Sequence, residues 1–260
     1  MNRLGYRFAA CPQDQASKKI PQTNAIFEQL RQVHVQAGQD AETLRISLDT
    51  KAKVKIGAFS RGGLARGQQA VRAADHDMHP DALLVPAGIL EVNSQQLNLI
   101  FGTSRDTSDF VADSLQLWWN NRHRAYPGVR RLLIDLDNGP EIASSRTQFM
   151  KRLVEFSDQH HLTLELAYYP PYHSKYNLIE RCWGILENHW NGTLLTTLET
   201  ALLWAKTMTW RGIRPIVHLI DRVYERGVRL RPRLFRPIAH RLERSATLPK
   251  WSLVIHPQVG

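Results

Sequence analysis

Across residues 132–190 the hydrophobic period changes three times, and this alternation limits the folds open to the chain. Leu132, Ile134 and Leu136 alternate as a strand. Phe149, Leu153 and Phe156 then fall at helical spacing within residues 145–160, residues 162–167 read as a second strand, and residues 177–190 as a second helix. Upstream, Ile26, Phe27, Leu30 and Val33 predict a helix over 24–36. Residues 44–49 and 52–59 read as strands able to pair as a hairpin or meander, and 60–86 as a long polar loop. Two more strands (87–91 and 96–101) and a helix over 107–122 follow. Antiparallel-type strands leading into alternating helix and strand predict an α/β architecture with a mixed sheet.

With 43% hydrophobic residues, 260 residues can bury a full core. No apolar run approaches the roughly 20 residues that cross a bilayer, and residues 1–12 lack the apolar centre of a signal peptide, so a soluble cytoplasmic protein is expected. Two cysteines, Cys11 and Cys182, cannot build a framework of bridges or a four-cysteine zinc site. The net charge of +10 favours a polyanionic partner over a merely solvated basic surface. Much of it lies in residues 211–260, where ten Arg and one Lys face only Asp221, Glu225 and Glu243. Arg229, Arg231, Arg233 and Arg236, spaced around Pro232 and Pro237, suit an extended arm lying along phosphates. Lys51, Lys53 and Lys55 form a second basic row on one face of the 52–59 strand.

Three carboxylates stand at element ends. Leu44, Ile46 and Leu48 share one strand face, which puts Asp49 with Arg45 and Ser47 on the other. In the later strand Asp135 and Asp137 share a face, Asp137 being nearer the carboxyl end, where α/β sheets open their sites. Glu180 lies one turn into its helix, and Gly184 leaves space above it. Each acid has an ordinary explanation. Asp137-Asn138-Gly139-Pro140 is a strong turn former, Glu180 follows Asn177 at near capping-box spacing, and Asp49 could simply end a strand. Taken together, acids from two strands and a helix suit hard divalent cations that keep positions open for phosphate and water.

Other residues are weaker candidates. Asp135, Asn138 and Glu141 are expected to flank such a site, and His173, Ser174 and Lys175 to stand near a phosphate. The loop Tyr168-Tyr169-Pro170-Pro171-Tyr172 either stacks unpaired bases or packs its tyrosines on the core, the second being favoured. Trp183, Leu186 and Trp190 read as core. Neither His160-His161 nor Asp75-His76-Asp77-Met78-His79 has the four spaced ligands of a zinc site.

Three segments carry a family resemblance: Asp49-Thr50-Lys51-Ala52-Lys53, Leu136-Asp137-Asn138-Gly139-Pro140-Glu141, and Tyr169-Pro170-Pro171-Tyr172-His173-Ser174-Lys175-Tyr176-Asn177-Leu178-Ile179-Glu180-Arg181-Cys182-Trp183-Gly184. They resemble the DDE transposases of the ISAzo insertion-sequence group, distant relatives of mariner-type enzymes. The likeness extends to Phe101-Gly102-Thr103-Ser104, Asn188-His189-Trp190-Asn191-Gly192-Thr193 and Leu248-Pro249-Lys250-Trp251. It implies an RNase H-like fold, Asp49, Asp137 and Glu180 as the catalytic and metal-holding acids, and two Mg2+ ions, with Mn2+ as a substitute. One ion would lie between Asp49 and Asp137 and the other between Asp49 and Glu180, about 3.5–4 Å apart.

The same resemblance implies double-stranded DNA, at element ends and target, as partner. It also implies a homo-oligomer on that DNA and a place on the bacterial nucleoid. Such proteins carry a helix-turn-helix region ahead of the catalytic domain, and Met1-Asn2-Arg3-Leu4-Gly5-Tyr6 resembles its tail, so a shortened copy is expected. Leu178 stands where the family has proline. The organisation expected is a remnant of the DNA-binding region over 1–40, a catalytic domain over 41–210 and a basic extension over 211–260. The expected activity is metal-dependent DNA cleavage and strand transfer. The alternatives are a non-catalytic DNA-binding remnant and an Asp-x-Asp phosphatase using Asp135 and Asp137.

Overall fold

A computed structural model describes residues 19–62, 73 and 79–258. Nine strands form one mixed sheet: β1 (Thr43–Thr50), β2 (Val54–Ile56), β3 (Ala82–Glu91), β4 (Leu97–Gly102), β5 (Arg131–Leu136), β6 (Thr163–Tyr168), β7 (Ile216–Ile220), β8 (Leu242–Arg244) and β9 (Ser252–Ile255). Their order is β7-β4-β3-β1-β5-β6-β9-β8, with β2 paired to β3. Among the described residues six α-helices accompany them: α1 (Thr23–Gln39), α2 (Ser108–Arg122), α3 (Thr147–His160), α4 (Ile179–Trp190), α5 (Leu198–Thr207) and α6 (Pro232–Ala239). The tail read at Met1 to Tyr6, Cys11 and the run Asp75-His76-Asp77-Met78 lie outside the described residues.

The alternation of the strands decides which helix covers which face. Leu44, Ile46 and Leu48 of β1, Ile134 of β5 and Ile89 of β3 join Phe110, Leu115 and Trp118 of α2 and Phe149 and Leu153 of α3 in the larger core. Leu84 and Leu90 of β3, with Leu99 and Phe101 of β4, meet Ile179, Trp183, Leu186 and Trp190 of α4 in a second core, as read for Trp183, Leu186 and Trp190. Period-2 strands buried on both faces produce this two-sided packing.

Three sequence expectations change, the first being that residues 82–86, read as loop, belong to β3. Residues 44–49 and 52–59 do not form a hairpin. β3 runs for ten residues, long enough to take β1 at Thr50↔Ala87 and then β2 at Val54↔Leu84, and the Lys51 N–H donates to the Pro86 carbonyl between them. Nor are Arg229 to Arg236 an extended arm. Pro232 occupies the first turn of α6, where its missing N–H costs nothing, and Phe235 and Ile238 pack that helix on the core.

The basic carboxy-terminal segment is woven into the sheet: β7 pairs with β4 at one side, and β9 with β6 toward the other. At the amino end α1 buries Ile26, Leu30 and Val33 in the larger core. Among the described residues no helix is long and apolar enough to cross a membrane.

Candidate active site

β1 and β5 are parallel. β4, antiparallel to β3, which is itself antiparallel to β1, runs the same way. Three carboxyl ends therefore open on one edge of the sheet, delivering Asp49 at the end of β1, Asp137 just past β5 and Asp106 four residues past β4. These three line one cleft with Thr50, Lys51, Lys53, Gly139 and Glu141. The cleft encloses about 370 Å³.

Asp49 is only 6% exposed, and the Trp183 Nε1–H of α4 donates to its Oδ2 at 2.9 Å. Burial pushes its carboxyl well above the ordinary carboxylate range. Repulsion from Asp137 and then from Glu180 adds to the rise, and the Trp183 hydrogen bond opposes it. Asp137 is raised as well, by desolvation, against an opposing hydrogen bond at 3.1 Å from the Gly139 N–H. The turn-forming role read for Asp137-Asn138-Gly139 is thus real and leaves Oδ2 for the cleft. Asn138 is exposed on that turn.

Glu180 is carried on the first turn of α4 and does not line this cleft. Asn177 does not cap this helix; its side chain turns to β1, where Ser47 Oγ donates to Asn177 Oδ1 at 2.5 Å and Asn177 Nδ2 donates to the Leu48 carbonyl at 3.3 Å. The Ile179 N–H donates to Ser47 Oγ at 3.0 Å, so the first turn of α4 is bolted to the strand that ends in Asp49. Glu180 is half-buried and lies in the electrostatic field of Asp49. A Cβ added at Gly184 would meet nothing within 4 Å, which leaves the space above Glu180 open.

Asp135 is elsewhere. Wholly buried, it accepts from Arg45 Nε at 2.9 Å and Nη2 at 2.7 Å and meets His34 Nε2 at 2.8 Å, bracing α1, β1 and β5 together. With Asp135 consumed in this brace, the phosphatase alternative loses one of its two acids. Glu141 lines the cleft, paired with Arg146 at 2.9 Å. His173 and Lys175 line a separate cavity with Lys19, Phe27 and Tyr176.

Of the aromatic loop, Tyr168 and Tyr169 are buried, while Tyr172 is 64% exposed. Lys51 pairs with Glu187 of α4 at 3.0 Å, Lys53 lines the cleft and Lys55 is exposed. Arg229, Arg231, Arg233 and Arg236 are all exposed. Burial pushes the Cys182 thiol up to about 12, so it stays protonated.

Among the described residues no three carboxylate, imidazole or thiol side chains are grouped as ligands of a single ion. The donor set nonetheless suits divalent cations. It is all hard carboxylate oxygen, Asp49 within it is buried and feels the charge of Asp137, and Oδ1 of the cleft-lining Asp106 is shielded from solvent with no hydrogen-bond partner. Asp106 was missed in the sequence because it lies in a loop before α2, outside any strand or helix pattern.

A family model described as the Rhodopirellula transposase DDE domain matches residues 1–257. The chain belongs to this transposase family. No curated protein matches it significantly. Among solved structures, the Mos1 transposase paired-end complex with left transposon end is similar at a TM-score of 0.50 and 10% identity, over 78% of this chain and 58% of the Mos1 chain. The Mos1 mariner paired end complex with Mn follows at 0.47 and 8%, over 78% and 58%. This chain thus spans less than two thirds of the Mos1 chains. The mixed sheet flanked by helices is the RNase H-like arrangement of the Mos1 catalytic fold, as expected from the sequence.

Proposed function

We propose that this transposase-family chain cleaves DNA strands and joins them to a target, with Asp49, Asp137 and Glu180 holding two divalent cations. The observation that carries the reading is Asp49, buried and raised by the nearby charge of Asp137, sharing one cleft with it at an open sheet edge; Glu180 on α4, whose charge also acts on Asp49, supports the third place. Bound Mg2+ or Mn2+ would supply an activated water or 3′ hydroxyl and would neutralise the leaving oxygen. The chain's own contribution is positional. Trp183 orients the Asp49 carboxylate, the Gly139 N–H fixes Asp137, and Ser47 fixes the start of the helix that carries Glu180.

Duplex DNA, at element ends and target, is the proposed substrate, with a homo-oligomer assembled on it. The exposed arginines and the +10 charge favour phosphate contacts with little sequence preference. The test is nicking of supercoiled plasmid, and joining of labelled oligonucleotides to it, in Mg2+ and in Mn2+. The wild type should nick; Asp49→Asn, Asp137→Asn and Glu180→Gln should each lose at least about a hundredfold in rate. Duplex binding without any nicking by the wild type would establish the DNA-binding remnant instead. Equal nicking by all three variants would refute the assigned acids.

A further inference from the structure

Asp106 sits where the ordinary explanations of a loop aspartate do not account for it. It stands two residues before α2 and does not cap that helix: Thr107 is the cap, its Oγ1 accepting from the Phe110 N–H at 3.2 Å. Its Oδ2 accepts from the Thr50 hydroxyl at 3.0 Å, which ties it to the residue next to Asp49. Its Oδ1 is shut off from solvent and accepts from nothing. A shielded carboxylate oxygen without a partner is costly, and native structures rarely keep one without a reason.

The cleft around it is short of cations. Of its lining acids, Glu141 is matched by Arg146, while Asp49, Asp106 and Asp137 have no arginine or lysine within salt-bridge distance among the described residues. Of its lining lysines, Lys51 is turned to Glu187, which leaves Lys53 to face three aspartates.

We propose that Asp106 is a fourth acid of the metal centre, its carboxylate turning to bind a divalent cation of the cleft directly or through one water. The inference rests on the metal-holding role proposed above for Asp49 and Asp137. Thr50 then has a defined part: its hydroxyl occupies Oδ2 and leaves Oδ1 without a partner.

The experiment is a titration of the metal-free chain with Mn2+ alone, following free Mn2+ by its electron paramagnetic resonance signal. Melting temperatures in chelator are measured alongside. Asp106→Asn keeps an acceptor for Thr50 but loses the charge, and should weaken Mn2+ binding roughly 10- to 100-fold without lowering the melting temperature. Thr50→Val removes the hydrogen bond and keeps the carboxylate, and should bind Mn2+ as the wild type does. Wild-type affinity in Asp106→Asn, with weakened binding in Asp49→Asn and Asp137→Asn, would overturn the proposal while leaving the proposed function standing. Equal weakening by Thr50→Val and Asp106→Asn would also overturn it, because Asp106 would then act only through loop shape. A wild-type chain that binds no Mn2+ would overturn both readings.

Discussion

Asp49 and Gly88 face each other across the antiparallel β1–β3 pair, and the missing side chain at Gly88 is what lets Trp183 reach Asp49. A Cβ at position 88 would lie 2.7 Å from the Trp183 ring and 2.8 Å from Ile179 Cδ1, both on α4. Gly88→Ala should therefore lift α4 from the sheet, costing about 1–3 kcal/mol. It should also break the Trp183–Asp49 hydrogen bond and reduce cleavage through Glu180. Thermal denaturation and plasmid nicking check this; unchanged stability and rate would mean that α4 slides without penalty.

Metal-free wild-type protein should be less stable than Asp49→Asn at neutral pH, and the order should reverse in Mn2+. The folded pKa of Asp49 lies above its ordinary value of 3.8, so the folded chain holds the proton more tightly than the unfolded one. Stability therefore falls as pH rises from about 3.8 toward the folded value, and the penalty is complete above it. Asp49→Asn has no such slope. A cation bound only by the folded wild type returns about 2.7 kcal/mol at a hundredfold excess over its dissociation constant. Melting temperatures between pH 4 and pH 8, in chelator and in Mn2+, provide the measurement; parallel curves for the two proteins would refute it.

Ser47→Ala should cost about 1–3 kcal/mol, because the buried Asn177 Oδ1 and the Ile179 N–H would both lose their partner. Hydrogen exchange should quicken first at the amide of Ile179. Exchange that rises uniformly over α4 would instead indicate loss of the whole helix.

Replacing Arg229, Arg231, Arg233 and Arg236 by alanine should flatten the slope of log affinity for duplex DNA against log salt by roughly 3 to 4. Fluorescence anisotropy across a salt series measures it. Identical slopes would move the phosphate-binding surface to Lys53 and Lys55.

The strands and helices that set the sheet were legible because their periods are strong: Leu132, Ile134 and Leu136 are buried where alternation put them, and Phe149, Leu153 and Phe156 where helical spacing did. Pattern alone leaves Asp135 and Asp137 both open, nearness to the strand end leaning to Asp137 and the family resemblance naming it; Asp137 is the one that lines the cleft. What pattern could not supply was pairing at a distance. Nothing local in Asp135 announces Arg45 and His34, 90 and 101 residues away. Asp106 carries no periodic signal at all, and the extended-arm reading fails because Pro232 at the start of a helix and a proline within an extended arm read alike, while Pro237 sits inside the helix, where proline is ordinarily a breaker.

The seating of β9 against β6 sets a condition on manufacture. β6 has β5 on one flank and, until Ser252–Ile255 arrives, bare backbone on the other. A chain released by the ribosome before Ser252 would carry that open edge into a crowded cell, where unpaired strands recruit one another. A break in the chain ahead of Ser252 therefore threatens the sheet that carries Asp137 itself, and its first consequence would be aggregation and not merely a looser cleft.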